Sequence, residues 1–226
     1  MSSHDIDLEE VQSKLLPWLE EKMPQARDLT ISGMERAGAG FTSVSLPFDL
    51  SWKEAGQPWS AGMVFRAPGM GDPVYPDPKL ERQFRIMKCL HQTNVMVPKV
   101  YWMEKGSGPF GFPFYIMSKI EGLIPSEYPP YHSFGPCYDA TPEQRTKMWW
   151  GLVESLANLH KLDWKELGLS FLGVPPGGTG PLDQELDYWD NYLEWAKEEP
   201  QPILEQAVAW LRKNRYEPTR VALSWG

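Results

Sequence analysis

Cysteine is scarce in this chain: its 226 residues hold two, Cys89 and Cys137. They lie far apart and in no CxxC pair, which argues against a disulfide framework and against a zinc site built on paired thiolates. Long apolar runs are missing as well, and none comes near the ~20 residues a membrane helix needs. The opening Met1-Ser2-Ser3-His4-Asp5-Ile6-Asp7 has no basic stretch and no apolar core, so it does not read as a secretory leader. The expected location is therefore cytoplasmic, with no membrane partner. Positive charge is in deficit. A net charge of −8 argues against a general nucleic-acid binder, because phosphate contacts need a basic surface. It would suit a cationic substrate, although acidic surfaces commonly do no more than solubilise. No internal repeat is visible.

What remains is an ordinary globular composition, 42% hydrophobic and 23% charged, which sets disorder aside. The length allows one large domain or two small lobes with real cores. Eleven Trp and 22 Pro point to aromatic-rich packing and many rigid connections.

Asp7 with Glu10 marks the start of a first helix, along which Leu8, Val11, Leu15 and Leu19 recur at helical spacing. Pro17 predicts a kink there or a second helix. Short β-prone runs follow at Leu29–Met34 and Val44–Leu50, flanking Arg36-Ala37-Gly38-Ala39-Gly40. A turn at Gly56, Gln57 and Pro58 leads to a third strand, Ala61–Ala67, completing an antiparallel meander. A helix over about 79–91 comes next, its face carrying Leu80, Phe84, Met87 and His91. Two more strands are expected at Lys99–Glu104 and Pro113–Ile120.

Beyond a loop-like stretch at 122–140 the chain turns helical. Thr141-Pro142-Glu143-Gln144 supplies an N-cap, a first-turn proline and a capping-box Gln. Met148, Leu152, Leu156 and Leu159 are the expected buried stripe of that helix. Further helices are expected at about 182–199 and 202–214, and the start of a strand at Val221–Ser224. A β-rich first half followed by a helical second half is α+β architecture with two lobes.

Two features suggest chemistry. Gly38 and Gly40 occupy a strand–turn–strand context followed by Thr42 and Ser43. Glycines let a backbone approach phosphate oxygens, and turn amides and hydroxyls can donate to them. A two-glycine turn is more often only a turn, and the absence of Gly-Lys-Ser/Thr excludes a Walker motif. Arg66 is a lone cation at the end of the buried-looking run Met63-Val64-Phe65-Arg66. Most strand-end arginines face solvent, but kinase-like lobes keep a cation here to hold nucleotide phosphates.

Read in order, these stretches resemble the aminoglycoside phosphotransferase family of small-molecule kinases. Gly40-Phe41-Thr42-Ser43-Val44-Ser45-Leu46-Pro47-Phe48-Asp49 matches the family's phosphate loop and second strand, and Met63-Val64-Phe65-Arg66-Ala67-Pro68-Gly69 its third strand. Glu81–Leu90 matches the helix of the first lobe, and Val97-Pro98-Lys99-Val100 the strand after it. Phe114-Tyr115-Ile116-Met117-Ser118-Lys119-Ile120-Glu121-Gly122 resembles the hinge, and Leu156-Ala157-Asn158-Leu159-His160-Lys161-Leu162-Asp163 the helix end before the catalytic region. The resemblance implies a protein-kinase-like fold, with a nucleotide-binding lobe at 1–119 and a partial helical lobe at 120–226.

It further implies that the Ser118 carbonyl and the Ile120 amide meet the adenine edge. Gly38, Gly40, Thr42 and Ser43 would cover the phosphates of ATP or GTP, and Arg66 would grip them where many relatives have Lys. Arg is forked and permanently charged, so that replacement is not conservative. The helix residue that is usually acidic and pairs with this cation aligns with Gln83, which can still hydrogen-bond Arg66. Glu81, two positions away, points to another face. His160 ends an apolar helix stripe and reads as structural. Asp183 to Glu199 holds seven acidic residues against one Lys, either a solvated face or an attractor for a cationic acceptor.

The family's catalytic loop reads His-Gly-Asp or Trp-Gly-Asp, with an Asn soon after that helps hold magnesium, as does a later Asp. Val221-Ala222-Leu223-Ser224-Trp225-Gly226 reproduces the approach to it. The catalytic Asp is thus expected directly after Gly226, and the expected chain is an inactive fragment with no catalytic or metal-binding residue of its own. The leading expectation is a kinase moving the γ-phosphoryl of ATP or GTP to a hydroxyl of a small molecule, with magnesium in the full-length parent. The alternative is a non-catalytic nucleotide- or partner-binding module of the same shape. A helical interaction protein would account for the second half but not for the hinge.

Overall fold

The structure, a computed structural model, describes residues 7–37, 43–69, 75–77, 79–106, 108–125, 128–173, 180–216 and 218–224. The chain divides into two compact units, Met1–Val74 with Pro78–Ala157 and Tyr75–Asp77 with Asn158–Gly226.

The first unit opens with α1, Leu8–Lys22, capped by the Asp7 carboxylate, which accepts from the amides of Glu9 and Glu10. Pro17 lies inside this helix without ending it. Proline removes one backbone bond, but Val11, Leu15, Trp18 and Leu19 stay buried on one face. Each such side chain stabilises by about 1.5–3 kcal/mol, enough together to outweigh the lost bond. Strands β1 (Arg27–Ser32), β2 (Ser43–Glu54) and β3 (Gln57–Pro68) follow, then α2 (Leu80–Leu90), β4 (Val100–Lys105) and β5 (Pro113–Ser118). The five strands form one antiparallel sheet in the order β1-β2-β3-β5-β4.

Side chains alternate across a strand, and this assigns the two faces. Val44, Leu46, Phe48 and Leu50 of β2, Phe65 of β3, and Phe114 and Ile116 of β5 form one core with Leu15 and Leu19 of α1. Trp18 packs on Phe114 with ring centroids 4.8 Å apart, and its indole N–H donates to Glu104 at 3.3 Å. The intervening residues Ser45, Arg66 and Tyr115 therefore share the other face, the one on which Phe84 of α2 meets Tyr115 edge-on at 5.9 Å.

The β2–β3 hairpin differs from expectation in its turn. Its central residues are Ala55 and Gly56, at φ 49° and 78°, and Glu54 pairs with Gln57. Positive φ at both positions is the type I′ geometry that matches strand twist, so both strands run on to the turn and Gln57 and Pro58 belong to β3.

The remaining helices are α3 (Pro136–Asp139), α4 (Pro142–Lys161), α5 (Pro181–Ala196) and α6 (Pro202–Lys213). The expected cap of α4 is present in both directions: Thr141 N donates to Gln144 Oε1 at 2.8 Å, and Gln144 N donates to Thr141 Oγ1 at 3.3 Å. Its expected buried stripe is not. Leu159 is buried, whereas Met148 is 46% exposed and Leu152 50%. Helical spacing makes a face but does not supply a surface to cover it. Val221–Ser224 is described without strand structure; a β-prone run needs a ladder partner before it becomes a strand. Among the described residues, no helix is long and apolar enough to cross a membrane.

Candidate functional site

Counting back from the Glu54–Gln57 pair at the hairpin turn brings Ser45 opposite Arg66, and Arg66 in turn lies opposite Tyr115 on β5. Three adjacent strands thus present Ser45, Arg66 and Tyr115 in a row, on the sheet face turned away from the α1 core. Arg66 donates through one terminal nitrogen to Ser45 Oγ at 2.7 Å and through Nε to Gln83 Oε1 at 3.4 Å. Gln83, in the first turn of α2, also accepts from the Tyr115 hydroxyl at 3.3 Å.

Tyr115 is 1% exposed. Burial pushes its phenol up to about 12, against the opposing pull of the Arg66 guanidinium. The hydroxyl is therefore a neutral donor at any physiological pH. Glu81, the nearby acid of α2, is occupied elsewhere, its carboxylate accepting from Lys105 at 2.7 Å. Among the described residues, no carboxylate is ion-paired with Arg66.

Toward the glycine turn, Glu35 N donates to Pro47 O at 3.1 Å and Ala37 N to Ser45 O at 3.0 Å. The segment after β1 thus follows β2 as far as the row that holds Arg66. Ser43 is buried at the start of β2, opposite Pro68. Gly38, Gly40 and Thr42 lie outside the described residues.

At the other end of β5, Ser118 N donates to Lys99 O at 2.8 Å and Lys99 N to Ser118 Oγ at 2.9 Å. Lys119 N continues the contact with β3 by donating to Gly62 O at 2.9 Å. The approach is close: a Cβ on Gly62 would stand 3.1 Å from that of Lys119. Ile120 has left the sheet and is 61% exposed. Ser118 pairs with Met63, three residues from Arg66, which is about 10 Å along a strand. Arg66, Ser43 and Ser118 are therefore gathered on neighbouring strands of one unit.

Sequence reasoning missed Ser45 and Tyr115. The signal that finds Ser45 is the turn: with the turn placed at Ala55-Gly56, strand counting alone sets Ser45 against Arg66. Tyr115 instead meets Arg66 through the non-local β3–β5 pairing, which has no local signal.

In the second unit, much of the acidic helix is neutralised. Arg212 bridges Asp187 at 2.8 Å and Asp190 at 2.9 Å, Arg215 pairs with Asp183, and Lys197 pairs with Glu194. These pairs tie α5 to the residues after it. The His160 backbone carbonyl accepts from Arg220 at 2.9 Å, a structural contact.

A shallow depression at the tip of the β2–β3 hairpin, between Asp28, Trp52, Lys53 and Trp59, lies at the far end from Arg66. Its charges are spent on each other, with Lys53 and Asp28 paired at 2.9 Å. Among the described residues, no three His, Cys, Asp or Glu are grouped as a metal site. Trp225 and Gly226 lie outside the described residues.

Comparison with known proteins follows the same outline. The model of the phosphotransferase enzyme family matches residues 63–223. Acyl-CoA dehydrogenase family member 11 of Rattus norvegicus is 28% identical over 136 residues, covering 60% of this chain and 16% of that one. Acyl-CoA dehydrogenase family member 10 of Mus musculus is 26% identical over 147 residues, covering 65% of this chain and 13% of that one. The chain thus spans about a sixth or less of the length of these relatives. A crystal structure from Ralstonia eutropha JMP134, provisionally assigned as an aminoglycoside phosphotransferase, superposes with a TM-score of 0.56 at 22% identity, over 88% of this chain and 53% of that chain. That likeness shows the fold, which is α+β and protein-kinase-like.

Proposed function

From the premise that this chain belongs to the phosphotransferase enzyme family, we propose that residues 1–119 form the nucleotide-binding lobe of an ATP- or GTP-dependent small-molecule kinase in the cytoplasm. Residues 120–226 belong to its helical lobe. The acceptor is a hydroxyl of a small molecule.

Arg66 carries the reading. A guanidinium held by Ser45 and Gln83 on the sheet face away from the α1 core is a preset partner for phosphate oxygens, and charge-assisted bonds of this kind are the strong ones. Gly38, Gly40, Thr42 and Ser43 cover the phosphates. The Ser118 carbonyl and Ile120 amide, about 10 Å away along the sheet, take the purine edge. No residue is assigned to proton transfer, and magnesium is assigned to residues other than those described. The dehydrogenase activity in the relatives' names is not carried over, because the matched stretch is 16% or less of those chains.

Titration of the chain with ATP and with adenosine tests the assignment. Arg66→Ala should weaken ATP by about tenfold or more, the worth of a charged hydrogen bond, and leave adenosine unchanged. Ile120→Pro should weaken both, since it deletes the amide that meets the ring. Equal losses for both ligands in the Arg66 variant would remove the phosphate assignment.

A second reading, a nucleotide-binding module without transfer, is favoured by Gln83. The residue that contacts Arg66 is neutral where kinases of this fold use an acid. Nucleotide binding without phosphorylation of any hydroxyl compound would select it.

A further inference from the structure

Among the described residues, the side chains that hydrogen-bond Arg66 are neutral. Its Nε meets an amide oxygen at 3.4 Å and its terminal nitrogen a serine hydroxyl at 2.7 Å. The amide oxygen is itself held by a tyrosine hydroxyl at 3.3 Å. Because burial raises the Tyr115 phenol to about 12, that side chain brings no negative charge to the cluster. The acid two residues before Gln83, Glu81, is tied to Lys105 at 2.7 Å. Arg66 Nε–H can only donate, so the Gln83 atom facing it must be the oxygen, and the Tyr115 hydroxyl donates to that same oxygen.

We propose that Ser45, Gln83 and Tyr115 form a charge-neutral clamp, which orients Arg66 while leaving its full positive charge for an incoming polyphosphate. This rests on the nucleotide reading above for the identity of the ligand, but not for the presence of an anion site. An acid at position 83 would orient the guanidinium equally well and cancel most of the charge the ligand meets. A neutral clamp gives orientation without cancellation. Gln83 and Tyr115 are positioning residues, and Arg66 is the group that touches the ligand. At this position the chain discriminates by charge: a polyphosphate gains from a cation whose described partners are neutral, and an uncharged nucleoside does not.

The decisive variant is Gln83→Glu, read against Gln83→Met, with magnesium-free tripolyphosphate, ATP and adenosine titrated at several ionic strengths. Screening weakens an uncompensated charge interaction more than a compensated one. Wild type should bind tripolyphosphate and ATP with strong salt dependence. Gln83→Glu should lose about tenfold for both and show a shallower salt dependence, the sign of a cancelled charge. Gln83→Met, which removes the acceptor but adds no charge, should lose affinity while keeping the wild-type salt dependence. Adenosine affinity should not move in either variant, which excludes a general structural effect. If Gln83→Glu binds tripolyphosphate as tightly as wild type or more tightly, the neutral clamp is wrong. Tripolyphosphate binding that follows this pattern without any binding of ATP or adenosine would keep the clamp and overturn the nucleotide reading. If wild type binds neither anion, both fall.

Discussion

Tyr115 sits almost fully buried between Arg66 and Phe84, and its ionisation is a measurable property of the folded state. A phenol titrates near ~10 in an unfolded chain, and here burial raises it to about 12. Folding therefore disfavours the phenolate. The stability that Tyr115 contributes is fully present below pH ~10 and is lost as pH rises through about 12. Urea unfolding should show wild type losing stability more steeply than Tyr115→Phe across that window. The gap should approach about 2–3 kcal/mol, two pKa units' worth. Parallel pH profiles for the two proteins would contradict the buried hydroxyl. At neutral pH the same variant lacks the hydroxyl that holds Gln83, a loss of about 1 kcal/mol.

At the scale of elements, the β2–β3 hairpin sets the alignment on which the site depends, and its turn contains a weak spot. Ala55 has φ 49°, where a Cβ crowds the backbone and costs roughly 1–2 kcal/mol relative to a residue that tolerates the region. Asn at the first position before Gly is the preferred type I′ pair. Ala55→Asn should stabilise the chain by about 1 kcal/mol, visible as a raised urea midpoint with unchanged slope. Ala55→Val should destabilise by at least as much. No gain from the Asn variant would mean the turn is relaxed differently.

The same hairpin shows where the sequence is readable. The capping boxes at Asp7 and Thr141, the alternation in β2 and the β-then-helical order are local signals, and the elements form where those signals lie. The interaction of Gln83 with Arg66 followed from the family pattern. Ser45 was missed because one turn residue sets the β2–β3 register and a turn placed late moves every partner across it. Tyr115 was missed because β3 meets β5 across intervening elements rather than a turn. The apolar spacing of Met148 and Leu152 was plain, but burial depends on what else is present, which spacing does not encode. Pro17 shows the converse case, a local breaker overridden by the core that α1 covers.

For the whole molecule, apolar burial is uneven. The sheet and α1 hold almost all of the buried hydrophobic residues, whereas the second unit contributes Leu159 and Leu169, and neither α5 nor α6 has a buried residue. Local stability follows buried apolar contact. Amide hydrogen exchange on the chain should find the slowest amides in β2, β3 and β5, and exchange in α5 and α6 faster by orders of magnitude. Uniform protection across both units would refute this. Exposed tryptophan stands mostly on the helices. Trp18 is enclosed against Phe114, while Trp189, Trp195 and Trp210 stand exposed on the helices of the second unit, joined by Trp149 and Trp150 of α4. The chain is therefore optically lopsided. Its exposed indoles stand mostly on helices, with Trp59 of β3 the exception, so a change in emission colour on warming weighs the helices more heavily than the sheet. Far-ultraviolet dichroism and fluorescence should give two different melting curves for one sample.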